Sequence, residues 1–202
     1  GAYVQMNFEI QWGGLPVRGD IGARYVETKT TARGFVPGAN GLALRIVDNT
    51  YEDFLPSLNL VVEPTAQILL RGGVAKVMAR PSLGNLTPGG NLNTFSGEPY
   101  AFSIGNPDLD PFRATTVDVS AEWYFAEESL LALSLFYKDV DSFFLSSATT
   151  EVPFSTIGLP TTVASADSPL GLDLADGLDP LVAVSQVQNG GEASIEGLEI
   201  VY

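Results

Sequence analysis

Thr116-Val117-Asp118-Val119-Ser120-Ala121-Glu122-Trp123-Tyr124-Phe125, then Ala126-Glu127-Glu128, then Leu131-Ala132-Leu133-Ser134-Leu135-Phe136-Tyr137-Lys138, decides how the rest of the chain is read. Val117, Val119, Ala121, Trp123 and Phe125 occupy one phase of a two-residue period, and Thr116, Asp118, Ser120, Glu122 and Tyr124 the other. Successive side chains of a strand point to opposite faces, so this is a ribbon with one apolar and one polar face. Ala126-Glu127-Glu128 reads as a tight turn. In the return strand Leu131, Leu133, Leu135 and Tyr137 oppose Ala132, Ser134, Phe136 and Lys138.

The same alternation extends in both directions. Ala2, Val4, Met6, Phe8, Ile10 and Trp12 alternate with Tyr3, Gln5, Asn7, Glu9 and Gln11 up to the turn Gly13-Gly14-Leu15-Pro16, after which Ile21, Ala23 and Tyr25 face away from Asp20, Gly22 and Arg24. Phe54, Pro56, Leu58, Leu60 and Val62 oppose Leu55, Ser57, Asn59 and Val61. A turn is expected at Glu63-Pro64-Thr65. A return strand is expected near Ala66 to Met78, and a last strand from about Ala193 to Tyr202. The total is about seven antiparallel strands, many close to the ~9–11 residues that cross a bilayer at a tilt.

Connections alternate short and long. Tight turns fall at Gly13–Pro16, Glu63–Thr65 and Ala126–Glu128, and long irregular segments are expected at Thr31–Glu52, Ala79–Phe112 and Ser142–Glu192. Nothing requires a soluble sandwich to gather its long loops at one end, whereas an outer-membrane barrel has short turns on one side and long loops on the other. Trp12 and Trp123 both lie in the apolar phase beside a tight turn, as an interfacial aromatic belt requires. The lipid-facing set is therefore Val4, Met6, Phe8, Ile10, Val117, Val119, Leu131, Leu133 and Leu135. Arg24, Arg71, Asp118 and Glu122 on the other face must meet water or a plug. Eight-stranded barrels fill their interiors with interlocking side chains, so the reading is an up-and-down transmembrane β-barrel segment of about seven strands within a larger barrel. The competing reading is a soluble β-rich carbohydrate-binding module, which would cover its apolar face with a second layer.

Composition removes other classes. The chain has 202 residues, 10 Lys and Arg against 24 Asp and Glu, a formal charge of −14, no His and no Cys. Without His there is no Ser-His-Asp triad or imidazole metal site, and without Cys no disulfide frame or iron–sulfur cluster. The acidic balance opposes nucleic-acid binding, which needs cations to displace counterions. Mean hydropathy is +0.17, yet no stretch approaches the ~18 apolar residues of a spanning helix. No charged segment followed by an apolar one opens the chain, so no secretion signal is expected among these residues.

Two stretches resemble a known family. Lys76-Val77-Met78-Ala79-Arg80-Pro81-Ser82-Leu83-Gly84-Asn85-Leu86-Thr87-Pro88 is similar to a strand exit common in TonB-dependent outer-membrane receptors, and Gly105-Asn106-Pro107-Asp108-Leu109-Asp110-Pro111 resembles their passage from loop to strand. Glu122–Phe125, Leu135–Phe143 and Ile195–Ile200 continue the likeness. The resemblance implies a barrel of about 22 strands, a plug domain and a TonB energy-coupling complex of the inner membrane. The implied cargo is a scarce small molecule of the oligosaccharide or iron-siderophore class. The motif wording is similar to that of a carbohydrate-uptake subgroup. A plug and a coupling box are not found within residues 1–202, which are expected to form part of such a barrel in the outer membrane of a Gram-negative bacterium.

Candidate site residues lie in the long connections. Phe95, Tyr100 and Phe102 offer rings that could stack on a ligand. Asp173, Asp176 and Asp179 fall in a stretch from Asp139 onward that lacks Lys and Arg altogether. Their spacing resembles a calcium loop only superficially, because Ala175 and Gly177 stand where oxygen ligands are required. No cofactor is expected, with calcium at Asp173, Asp176 and Asp179 the one candidate. Asp118 and Glu122 share a face, as a glycosidase pair must, but lumen residues of a barrel do so routinely, and no enzyme activity is expected. Asn106-Pro107-Asp108 reads as architecture, since Asn and Asp close turns and Pro fixes φ.

Overall fold

A computed structural model describes residues 1–38, 41–93, 100–145, 149–157 and 179–202. Seven strands form one antiparallel sheet: β1 (Ala2–Trp12), β2 (Leu15–Gly38), β3 (Gly41–Thr65), β4 (Ile68–Ala79), β7 (Phe112–Ala126), β8 (Ser129–Ser142) and β13 (Ala193–Val201), adjacent in that order. Each inner strand pairs with the one before and the one after it in this order, and β1 and β13 form the two edges, which is an up-and-down meander. The connection from β4 to β7 holds β5 (Gly90–Asn93) and β6 (Tyr100–Ile104). That from β8 to β13 holds β9 (Phe144–Leu145), β10 (Thr150–Pro153), β11 (Leu181–Gln186) and β12 (Gln188–Asn189).

Register shows why the two-residue period propagates. Directly opposed residues share a face, so one row can be followed through all seven strands: Met6, Ile21, Leu58, Val74, Val117, Tyr137, Glu196. Two residues along, the row is Phe8, Gly19, Leu60, Gly72, Val119, Leu135, Leu198, and after it Ile10, Val17, Val62, Leu70, Ala121, Leu133, Ile200. These rows carry most of the expected lipid-facing set, and they place Leu70, Gly72 and Val74 of β4 on the same face. Trp12 and Trp123 follow two residues beyond Ile10 and Ala121, next to Leu15 and Ile68. The Trp123 ring lies 5.3 Å from that of Phe125, a tilted pair at the edge of the band.

This face has no second layer among the described residues. Met6 is 60% exposed, Val119 53% and Ile200 63%, and nearly all the buried hydrophobic residues lie toward the end of the sheet that carries the long connections. A soluble sandwich needs an opposing layer to bury such a face, so the soluble module is not supported. In hydrocarbon the same face needs no cover, because lipid tails are themselves the apolar phase.

The short turns follow local chemistry. Gly13 and Gly14 have φ of 60° and 86°, the left-handed pair that a two-residue hairpin turn requires and that glycine adopts without steric cost. Glu128 takes φ 59° at the β7–β8 turn. The expected turn at Glu63–Thr65 lies instead at Ala66–Gln67. A register shift between Val62 and Thr65 absorbs Pro64, and the Thr65 hydroxyl accepts the Gln67 N–H at 3.3 Å.

The largest departure concerns Thr31–Glu52, which is not irregular. β2 and β3 remain paired from Val17/Val62 to Gly38/Gly41. A span needs only about 9–11 residues, so more than half of each strand projects beyond it. The apolar–polar alternation loses its contrast there because water wets both faces, while the backbone ladder continues regardless. The other two long connections join into a four-stranded sheet of order β10-β11-β6-β5, with β11 and β6 parallel. Its core is Phe102, Phe154 and Val182.

Facing can be tested directly. Val119→Arg, aimed into the apolar band, should destabilise the intact barrel in bilayers by about 2–4 kcal/mol. Ser120→Arg, one residue on and on the opposite face, should cost much less. Equal costs in reversible unfolding measurements would contradict the assignment of faces.

Candidate functional site

The polar face is built from the rows between the apolar ones. One contains Glu9, Arg18, Val61, Arg71, Ser120, Ser134 and Glu199, and the next Asn7, Asp20, Asn59, Gly73, Asp118, Phe136 and Gly197. An open cavity on this face is lined by Asn59, Arg71, Asp118, Ser120, Ser134, Lys138 and Glu199. The Phe136 ring lies over Gly197, where a Cβ would have no room.

Several charges of this wall are held by partners within it. Arg71 Nε donates to Glu122 Oε1 at 2.7 Å, and the Tyr124 hydroxyl donates to Glu122 Oε2 at 2.7 Å. Arg18 pairs with Glu63 at 2.6 Å. Asn59 Nδ2 donates to the Asp20 carboxylate at 3.1 Å. Asp118 and Glu122 share the polar face as expected, but Glu122 is engaged by Arg71 and Tyr124.

Toward the long connections, Asp53 is 5% exposed and accepts from Arg113 Nε at 2.6 Å. This contact joins β3 to β7 across the end of β4. Arg80 reaches back to the Thr28 hydroxyl at 3.2 Å. Neither pair was foreseeable from spacing, since the partners are 60 and 52 residues apart.

The sequence-predicted site residues are distributed differently from the expectation. Phe102 is buried in the core of the loop sheet against Phe154 and Val182, so its ring faces are covered by protein and not offered to a ligand. Tyr100 is half-buried and packs on the same core. Phe95, Asp173 and Asp176 lie outside the described residues. Asp179 accepts from the Ser155 backbone N–H at 2.9 Å and from its hydroxyl at 2.5 Å. These hydrogen bonds hold its carboxyl below its ordinary value. Among the described residues, no group of three or more carboxylates is gathered as a metal site.

A family model described as TonB dependent receptor-like, beta-barrel, matches residues 1–202. Among solved structures, a ferric enterobactin receptor of Pseudomonas aeruginosa in complex with enterobactin is 18% identical. It has a TM-score of 0.54 and coverage of 98% of this chain and 32% of that one. The siderophore receptor PirA of Pseudomonas aeruginosa is 14% identical, with a TM-score of 0.52 and coverage of 98% and 38%. A hemophore receptor, HasR of Serratia marcescens, in complex with its hemophore HasA and heme, is 16% identical, with a TM-score of 0.51 and coverage of 98% and 30%. The chain spans about a third of the length of these receptors, and identities this low establish likeness of fold. No curated protein sequence matches the chain.

Asp179 generates a pH prediction. A carboxyl with a lowered folded value contributes stability above its ordinary value of 3.8 and loses it as pH falls through the lowered one. Protection of the Ser155 amide from hydrogen exchange, corrected for intrinsic rate, should therefore hold from neutral pH to about 4 and decline below it. Asp179→Asn should remove that pH dependence. An unchanged profile in the variant would show that the carboxylate does not hold Ser155.

Proposed function

Because this chain belongs to the TonB dependent receptor-like β-barrel family, we propose that it forms part of the lumen wall and outer rim of an outer-membrane importer for an iron complex of the siderophore or haem class. The observation that carries this reading is the seven-strand sheet itself. One face carries apolar rows with no cover, and the other carries polar rows around an open cavity. Two of the structures it resembles, a ferric enterobactin receptor in complex with enterobactin and a hemophore receptor in complex with its hemophore and heme, favour iron over the oligosaccharide class.

Each layer of the wall then has a task. The apolar rows hold the strands in lipid, and between β1 and β13 the backbone ladder pairs the polar groups that hydrocarbon could not satisfy, the two outer edges being left for neighbouring strands of the closed barrel. Polar rows keep the lumen wetted. The pairing of Arg71 with Glu122 and of Arg18 with Glu63 is consistent with passage rather than storage. Bare cations along the wall would retain an anionic ferric complex, and at Arg71 and Arg18 the charge is already neutralised in place. Capture falls to the outer connections. Energy for release comes from the inner-membrane TonB complex, acting through parts of the receptor other than these strands.

Uptake by cells tests this. Deleting the gene in an iron-starved host should abolish energy-dependent uptake of a radioiron siderophore or of haem, and restoring it should recover uptake that a protonophore then stops. Loss of labelled oligosaccharide uptake with iron uptake unaffected would overturn the cargo class while leaving the transport family intact.

A further inference from the structure

We propose that Gly105–Pro111 is a mechanical clasp at the rim. It fastens the projecting β2–β3 hairpin, the connection after β4 and the connection after β8 to one another, so that these outside elements move as one body. How these elements are held does not depend on the cargo.

Asn106 supplies the centre of the clasp. Its backbone N–H donates to the Asn85 carbonyl at 2.6 Å, within the connection after β4. Its side-chain Nδ2 donates to the Val187 carbonyl at 3.2 Å, in the connection after β8. Its Oδ1 accepts the Asp108 N–H at 3.1 Å, which fixes the side chain's direction. Asn106 therefore extends, by one further tie, the join between two connections that β6 and β11 already hold side by side, more than 80 residues apart in sequence.

The neighbours extend the bridge in both directions. Gln186 Nε2 donates to the Gly105 carbonyl at 3.2 Å. Gly105 lies so close to the carbonyls of Thr87 and Asn85 that no side chain fits there. Asn189 closes a two-way pair with Asp110: the Asp110 N–H donates to Asn189 Oδ1 at 2.9 Å, and Asn189 Nδ2 donates to the Asp110 carbonyl at 3.0 Å. The same Nδ2 reaches the Ser142 hydroxyl at 3.0 Å, at the end of β8. On the hairpin side, Asn49 Nδ2 meets the Pro107 carbonyl at 3.5 Å, and buried Asp53 holds Arg113 just beyond the segment.

Stiffness comes from the segment's own sequence. Pro107, Leu109 and Pro111 are buried in alternation with exposed Asp108 and Asp110. Each proline fixes its φ and restricts the residue before it, so Asn106 and Asp110, which make the cross-ties, have few backbone conformations to lose. A short rigid segment with ties to three elements transmits displacement, whereas a flexible one would absorb it.

These 202 residues contain no cysteine, so in the intact receptor, with any cysteine outside them replaced by serine, Leu44→Cys near the hairpin tip and Glu151→Cys on β10 place one spin label on each of two tied elements. Electron–electron double resonance should then give one narrow distance. Asn49→Ala, which removes the hairpin's tie to the Pro107 carbonyl, should broaden it, and so should Asn106→Ala, which frees the segment from Val187 and Asp108. Asn59→Ala, on the lumen wall, should preserve it. A narrow distance retained in folded Asn106→Ala, or a broad one in the unsubstituted receptor, would overturn the clasp. If Asn106→Ala does not insert, as judged by heat-modifiable migration, Asn189→Ala carries the same test with the same two outcomes.

Discussion

Backbone hydrogen bonding in hydrocarbon is the constraint from which the rest follows. An unpaired N–H or C=O in lipid costs several kcal/mol, so each strand must be flanked on both sides, and the ladder must stay in register across the whole span. A slip of one residue would turn Val117, Val119 and Leu135 into the lumen and Asp118 and Arg71 into lipid. The register is therefore strongly specified by the two-faced pattern itself. It is further pinned where the chain reverses, by the left-handed pair Gly13-Gly14 and by the irregularities beside Thr65 and Ala126.

Two solvents divide the molecule into regions stabilised by different means. Within the span there is almost no buried core, and the sheet holds through its ladder and its cross-strand pairs. Outside, water restores the hydrophobic effect, and there the chain builds conventional cores: Phe102 with Phe154 and Val182, and the buried Pro107, Leu109 and Pro111 beneath the rim. This explains why the buried residues cluster at one end of the sheet. It also explains why two connections that are separate in sequence fuse into a single small sheet, since neither alone has enough apolar surface to bury.

The same division set what the sequence made legible. Where lipid meets one face, alternation is compulsory, and the faces of β1, β7 and β8 could be read directly from Val4 to Ile10, Val117 to Trp123 and Leu131 to Leu135. In the β2–β3 projection, Thr, Asp, Lys and Arg occupy both phases, so the ladder through Thr28–Thr31 left no pattern to find. Pro64 suggested a turn because proline usually marks one, yet a register shift accommodated it within β3. Phe102 looked like an offered ring because aromatics in loops are ambiguous until their neighbours are known, and its neighbours come from residues 154 and 182. The partners of Asn106 and Asp53 were equally out of reach, because a tie between distant residues leaves no spacing to recognise. The architectural role of Asn106-Pro107-Asp108 was legible for the opposite reason, since its turn chemistry is local.

The wall and the rim differ in how their polar groups are exposed, and that difference has a functional logic. Arg71, Glu122 and Tyr124 form a chain of hydrogen bonds on a surface that water reaches, so each bond is worth little and exchanges readily with solvent. Asp53 and Arg113 make the same kind of contact with the carboxylate buried, one of its oxygens having no protein partner. Removing Arg113 would strand that charge, which makes the contact costly to open. Exposed pairs along the wall and a buried pair at the rim therefore give contacts that open easily in one place and hold geometry in the other, with the same residue types distinguished only by their access to water.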